Sequence, residues 1–224
     1  GFRNPTTQDL FIGLNAGRAI LVGSAPDNLD RDIRTFNLSQ AGQTITGSPT
    51  ATVVGRSAYD NAFSLASVQS GIPQAPINPD PNSEFDTPLV QPEEITAFEV
   101  GYRAQFLEGR VAIDLSGYYN QYYNFISQTT VLVPFYGEVG DNSLSLLALQ
   151  NGDVVPYQPY TNALADIESY GATIGVDAKV FGNFDLGVNY TYADLEFDQA
   201  AFPDFRTNFN TPRHKVKASF GNTS

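Results

Sequence analysis

The chain has 224 residues, 42% of them hydrophobic and 12% aromatic, and its 12 basic and 24 acidic side chains leave a formal net charge of −12. That balance argues against the basic footprint of a nucleic-acid binder, and the lack of cysteine rules out disulfides and thiolate metal centres. With one histidine, His214, an imidazole-rich metal site is excluded too, and no run approaches the ~18 apolar residues of a membrane-crossing helix, so any membrane residence must use β-strands.

Residues 1–15 read as the entry to the fold, with Leu10–Leu14 as a candidate short strand. Residues 16–92 form one connection, far beyond the ~12–15 residues at which loops become unusual. Within it, Asp27, Asp30 and Asp32 lack the alternating oxygen ligands and central glycine of a calcium loop, which predicts a solvated acidic turn. Ser57 is placed to cap a helix from Ala58 to about Val68, with Ala62, Phe63 and Ala66 on one side. Six prolines between Pro73 and Pro92 predict an extended, semi-rigid segment.

Residues 93–128 carry the first of two long hairpins. One arm runs from Ile95 to Phe106, turns at Leu107-Glu108-Gly109, and returns from Arg110 to about Tyr123. Alternation puts Phe98, Val100, Tyr102, Ala104 and Phe106 on one face, answered by Val111, Ile113, Leu115, Gly117 and Tyr119. Pairing Leu107 with Arg110 sets Phe106 opposite Val111, Tyr102 opposite Leu115 and Arg103 opposite Asp114. A one-residue slip would mix the faces, so the register is strongly specified.

Residues 129–163 form a second long loop containing Phe135, Tyr136, Tyr157 and Tyr160. Such rings could stack on a sugar or an aromatic ligand, but they more often pack a loop against itself. Residues 164–197 repeat the hairpin pattern: Ile167–Val180, a three-residue turn at Phe181-Gly182-Asn183, and Phe184 to about Phe197. Gly182 or Asn183 is expected to supply the positive φ of that turn. Ala172, Ile174, Val176, Ala178 and Val180 then face Phe184, Leu186, Val188, Tyr190 and Tyr192, with Lys179 opposite Asp185 and Thr173 opposite Thr191. Residues 198–224 hold a shorter loop and a strand over His214–Phe220.

The arms exceed both the usual ~5–6 residues of a globular strand and the ~9–11 of a membrane-spanning one. Short turns at one end, long loops at the other, and aromatic residues (Tyr118, Tyr119, Tyr122, Tyr123, Phe125, Tyr190, Tyr192) at the loop-proximal ends fit an all-β, antiparallel up-and-down transmembrane barrel. About five or six long strands fall short of the ~8 of the smallest bacterial barrels, which predicts an incomplete barrel. No signal peptide opens the chain. Catalytic motifs are missing: there is no Gly-x-Ser-x-Gly elbow, phosphate-binding loop or His-Glu-x-x-His. Glu99 and Asp114 are the one carboxylate pair placed for acid–base work, and Arg103 offers Asp114 a structural partner instead. No enzymatic activity, metal or cofactor is expected, and His214 is read as structural.

Four segments carry a family resemblance. Gly1-Phe-Arg-Asn-Pro-Thr-Thr-Gln-Asp-Leu-Phe11 resembles the Gly-Phe-Arg-x-Pro-Ser/Thr segment in the barrels of TonB-dependent outer-membrane receptors. Pro92-Glu-Glu-Ile-Thr-Ala-Phe-Glu-Val-Gly-Tyr102, Ile167-Glu-Ser-Tyr-Gly-Ala172 and Thr211-Pro-Arg-His-Lys215 are similar to three further strand motifs of that family, although Thr173 replaces its usual acidic residue. The long insertion at 16–92 resembles receptors of Bacteroidetes-type bacteria. The resemblance implies a stretch from the C-terminal half of a plugged, 22-stranded barrel in a Gram-negative outer membrane, with 16–92 and 129–163 as extracellular loops. It implies a nutrient ligand (siderophore, glycan, vitamin or peptide), energy relayed from TonB through a plug domain outside residues 1–224, outer-membrane lipid around the strands, and a surface lipoprotein as a candidate partner. No family binding residue transfers onto these loops, so ligand-contact residues stay unassigned. The competing readings are a non-transporting surface barrel or adhesin, and a soluble secreted β-domain.

Overall fold

The computed structural model describes residues 1–78, 80, 82–140 and 144–222. Strand β1 (Phe2–Arg3) leads into helix α1 (Thr7–Phe11), which starts there because Thr6 and Asp9 cap it reciprocally. The Asp9 N–H donates to Thr6 Oγ1 at 3.3 Å and the Thr6 N–H to Asp9 Oδ2 at 2.8 Å. This box overrides the strand expected at Leu10–Leu14. Its first residues finish the helix, and β2 (Gly13–Asn15) pairs with β3 (Ile20–Val22) in a separate sheet.

Residues 16–92, read as one long connection with a single helix in it, fold more extensively. Helix α2 (Pro26–Arg31), β4 (Ile33–Asn37), α3 (Gln40–Thr46) and β5 (Thr50–Val54) come next, with β4 and β5 paired as a hairpin. The single helix expected from Ala58 to Val68 is two short ones, α4 (Ser57–Asp60) and α5 (Leu65–Gln69), separated by β6 (Phe63–Ser64). Ser57 is not the cap, since Arg56 precedes the first turn without a side-chain bond. The break comes at Asn61, whose amide donates to the Gly137 carbonyl at 3.1 Å and accepts from the Val139 N–H at 2.8 Å. Phe63 then pairs with Leu132, and Ser64 caps α5 by accepting from the Ser67 N–H. Of the proline segment, Pro79 and Pro81 lie outside the described residues; the described part up to Glu93 carries no helix or strand.

The first long hairpin is β7 (Glu93–Phe106) and β8 (Val111–Tyr123). The second loop contains β9 (Ile126–Gln128), β10 (Val131–Pro134), α6 (Leu144–Asn151) and β11 (Val154–Asn162). The second hairpin is β12 (Ile167–Val180) and β13 (Phe184–Glu196), and β14 (His214–Asn222) closes the series. The main sheet has the order β1-β7-β8-β12-β13-β14, all antiparallel, and does not close on itself. The sixth strand is thus β1 rather than Leu10–Leu14.

The register follows the side-chain pattern. Phe106 faces Val111, Tyr102 faces Leu115, Lys179 faces Asp185, and Thr173 faces Thr191 with their hydroxyls 3.3 Å apart. At the first corner φ is positive at Leu107, Glu108 and Gly109 (55°, 57° and 85°). At the second, Phe181 and Gly182 (48° and 84°) take the left-handed conformation, not Asn183. Rows of partners continue across the sheet: Tyr102, Leu115, Ile174, Tyr190 and Val216 lie side by side on one face.

Every long connection leaves the sheet at the end opposite the tight turns. There β2, β3, β11, β10 and β6 form a second sheet that draws strands from both long loops, with β11 parallel to β3. Its core buries Ile20, Val22, Leu29, Tyr59, Val131 and Tyr157. A smaller cluster of Ile167, Phe205, Tyr122, Phe125 and Phe197 joins this cap to the strand ends.

Candidate functional site

The greasy face of the main sheet is uncovered. Phe98 is 66% exposed, Val100 74%, Ile174 43% and Val188 43%, although each belongs to a continuous apolar row. A contiguous exposed apolar face marks a side that a membrane or a protein partner covers. Aromatic residues flank the rows at both ends. Tyr119, Tyr170 and Tyr192 sit toward the cap, and Tyr190 donates or accepts at 2.8 Å with Nδ1 of His214. Phe106, Phe184 and Phe220 sit toward the turns, the last two stacked with ring centres 5.2 Å apart. This second belt is legible in the sequence as phenylalanines next to both corners. Tyr118 and Tyr122, grouped with the aromatics of the first belt, point the other way. Tyr122 meets Phe125 edge-on under the cap, and the Tyr118 ring lies over Gly171, where a Cβ would approach it to 2.6 Å.

The opposite face is polar. Arg103 chelates Asp114, with Nε donating to Oδ2 at 2.8 Å. Glu99 stands opposite Tyr118 on the neighbouring strand, so the pair offered for acid–base chemistry is split, and Asp114 is held as a structural partner.

Two of the four sequence motifs meet at one part-buried junction. Arg3 Nη1 bonds Glu93 Oε2 at 3.2 Å and Nη2 reaches Asp9 Oδ2 at 3.4 Å. Glu93, only 2% exposed, also accepts from the Ile126 N–H at 3.0 Å. The Gly1 amino group donates to the Ile95 carbonyl, and Gln8 Nε2 to the Tyr160 hydroxyl at 2.7 Å. Strand β1, helix α1, strand β7 and the second loop are thereby pinned together by charge-assisted bonds.

The tyrosines offered as ligand platforms pack the cap instead. Tyr157 and Tyr160 are buried, Phe135 stacks on Phe36 at 4.8 Å, and the Tyr136 hydroxyl bonds Asp153 at 3.1 Å. Burial pushes the Tyr59 and Tyr157 hydroxyls well above the usual phenol range. The acidic turn is not simply solvated: Asp27 meets Arg31 at 3.9 Å, Asp30 meets Arg56 at 2.9 Å, and the largely buried Asp32 meets Arg34 at 2.7 Å. Among the described residues no group of His, Asp and Glu side chains is arranged to hold a metal ion.

Sequence reasoning did not anticipate a cavity of about 350 Å³ where all three long connections converge. Asp204 from the third loop crosses to the first, accepting from the Ala66 N–H at 2.8 Å and from the Ser64 hydroxyl. Thr161 of the second donates to the Pro88 carbonyl at 2.8 Å. Asp86 lines the cavity, and burial raises its carboxyl above the ordinary value. Its neighbour Asp60 is pushed up to about 6, mainly by burial. Thr87 is 2% exposed, and its Oγ1 is the one buried side-chain polar atom without a partner among the described residues. No sequence signal marked Thr87 or Asp86.

No curated protein and no solved structure matches the chain. One family model does, described as TonB dependent receptor-like, beta-barrel, and it matches residues 1–223. Open antiparallel sheet, uncovered apolar face, paired aromatic belts and whole-length match agree: this chain belongs to the TonB-dependent receptor-like β-barrel family, an outer-membrane family of nutrient transport.

Proposed function

We propose that residues 1–224 form part of the barrel wall and ligand-gathering cap of a receptor that imports one scarce nutrient across the outer membrane, driven by TonB. The observation that carries this reading is the uncovered apolar face over strands of 13 and 14 residues, joined to a cap folded from the long loops. Strands of that length cross a bilayer with residues to spare. Lipid supplies the missing cover, the polar face lines the lumen, and the tight turns lie on the periplasmic side, as short turns do in such barrels. The loops at 16–92, 129–163 and 198–211 then face the outside, where substrate arrives.

A plug domain elsewhere in the receptor carries the contact with TonB in this reading, and the cap is the surface offered to a substrate-delivering lipoprotein. An adhesin would need no energised inner membrane. The test is uptake by whole cells carrying the intact receptor, with and without TonB, as growth on limiting nutrients. Receptor-dependent growth that vanishes without TonB is expected; growth indifferent to TonB would defeat the importer reading.

A further inference from the structure

We propose that the cavity between the three cap loops binds an uncharged saccharide, in preference to an anionic or a cationic nutrient; this rests on the importer reading above. Its volume of about 350 Å³ falls inside the ~300–1,000 Å³ of small-molecule sites. The cavity joins segments from all three loops, so a ligand there touches the whole cap at once.

The cavity wall holds unspent hydrogen-bonding capacity. The side chains of Gln74, Asp86, Thr87 and Thr129 all line it and make no hydrogen bond among the described residues. Their neighbours are committed: Ser67 donates to the Ser64 and Gln74 carbonyls, Thr161 to the Pro88 carbonyl, and Asp204 accepts from two donors. A buried hydroxyl without a partner lowers stability, so the Thr87 hydroxyl is a cost to the empty cap. Pro76, Ile77, Phe202 and Phe205 supply the apolar part of the same wall. Mixed donors and acceptors beside apolar and ring surfaces complement a sugar, whose hydroxyl rim is polar and whose C–H faces are not.

Charge decides among the other classes. No lysine, arginine or histidine lines the cavity among the described residues, and two carboxylates do. Anionic chelates are therefore repelled, in a chain whose net charge is already −12. A multiply charged cation is poorly matched, because Asp204 is spent on Ala66 and Ser64, leaving Asp86 as the single uncommitted carboxylate in the wall. One carboxylate is enough for adjacent hydroxyl donors.

The experiment is calorimetric titration of the intact receptor in detergent micelles with maltotriose, cellotriose, xylotriose, trilysine and ferric citrate. At least one trisaccharide should bind most tightly, and Asp86→Asn and Thr87→Val should each weaken it by about tenfold or more. Thr87→Val should leave thermal stability unchanged or higher, which a merely structural hydroxyl would not do. Gln74→Ala, at an exposed position, keeps the test decisive if either of the other variants misfolds. The proposal is overturned if trilysine or ferric citrate binds most tightly, if no trisaccharide binds, or if sugar binding ignores these variants. TonB-dependent uptake of some other nutrient, insensitive to the cavity variants, would discard the saccharide and keep the importer.

Discussion

The sheet and the cap handle their aromatic residues in opposite ways. In the cap Tyr59 is 1% exposed, Tyr157 0% and Phe63 2%, whereas in the sheet Phe98 and Tyr102 stand 66% and 61% exposed. Both regions use alternating strands with one apolar face. The difference lies in what covers that face. The cap folds its apolar faces against each other and is a water-stable core in miniature. The sheet keeps its face outward, which is stable only where hydrocarbon replaces water. One chain thus carries two solvent regimes, and the junction of Arg3, Asp9 and Glu93 sits at the boundary between them.

Substitutions can break that contrast. The largest expected effect is Phe63→Ala, which opens a cavity in the cap core and should cost about 3–5 kcal/mol there. Hydrogen exchange of cap amides would register it, while Phe98→Ala should leave cap protection unchanged. Next, Tyr102→Arg or Val176→Arg should cost ~2–4 kcal/mol of barrel stability if these positions lie near the bilayer midplane. Gln105→Arg and Gly175→Arg, on the polar face, should be much milder in denaturant titrations of the receptor in vesicles, and equal penalties on both faces would contradict the two-solvent picture. Removing the boundary cation with Arg3→Ala should cost about 1.5–3 kcal/mol, because the Glu93 carboxylate keeps only a backbone partner. Loosened exchange at both β9 and β7 would be its signature, and loss confined to β1 would show the junction to be local.

The smallest effect sharpens the comparison through pH. Asp60 of the cap has its carboxyl raised from 3.8 to about 6, so the folded state holds the proton more tightly than the unfolded one. Its contribution to stability is therefore greatest in acid and is lost as pH climbs from about 3.8 to about 6. Cap protection should decline across that window in the natural chain, and Asp60→Asn should flatten the decline. A decline of the same size in the variant would place its origin elsewhere.

What could be read from the residues differs between the two regions for a physical reason. In β7, β8, β12 and β13 alternation persists over 13 or 14 residues, so face, register and turn length constrain one another, and Arg103 had to meet Asp114. The cap is assembled from strands of two to nine residues, and the pairings that join its loops, β6 with β10 and β3 with β11, link segments far apart in sequence. No local pattern announces that Ile20 will lie beside Tyr157. Thr6 and Asp9 did carry a signal, the spacing of a capping box, which the apolar run at Leu10 and Phe11 masked. Phe63 shows the reverse: expected on one side of a helix, it lies buried on a strand, because pairing with Leu132 outweighed helical spacing. The cavity left no trace in the sequence, since Thr87 and Asp86 gain meaning only once three loops converge.

The parallel ladder between β3 and β11 has a consequence for biogenesis. Its two strands lie on either side of the first hairpin in chain order, and short-range pairings close ahead of distant ones, so the ladder is expected to form after that hairpin. An antibody specific for the completed ladder would thus report a late stage of folding.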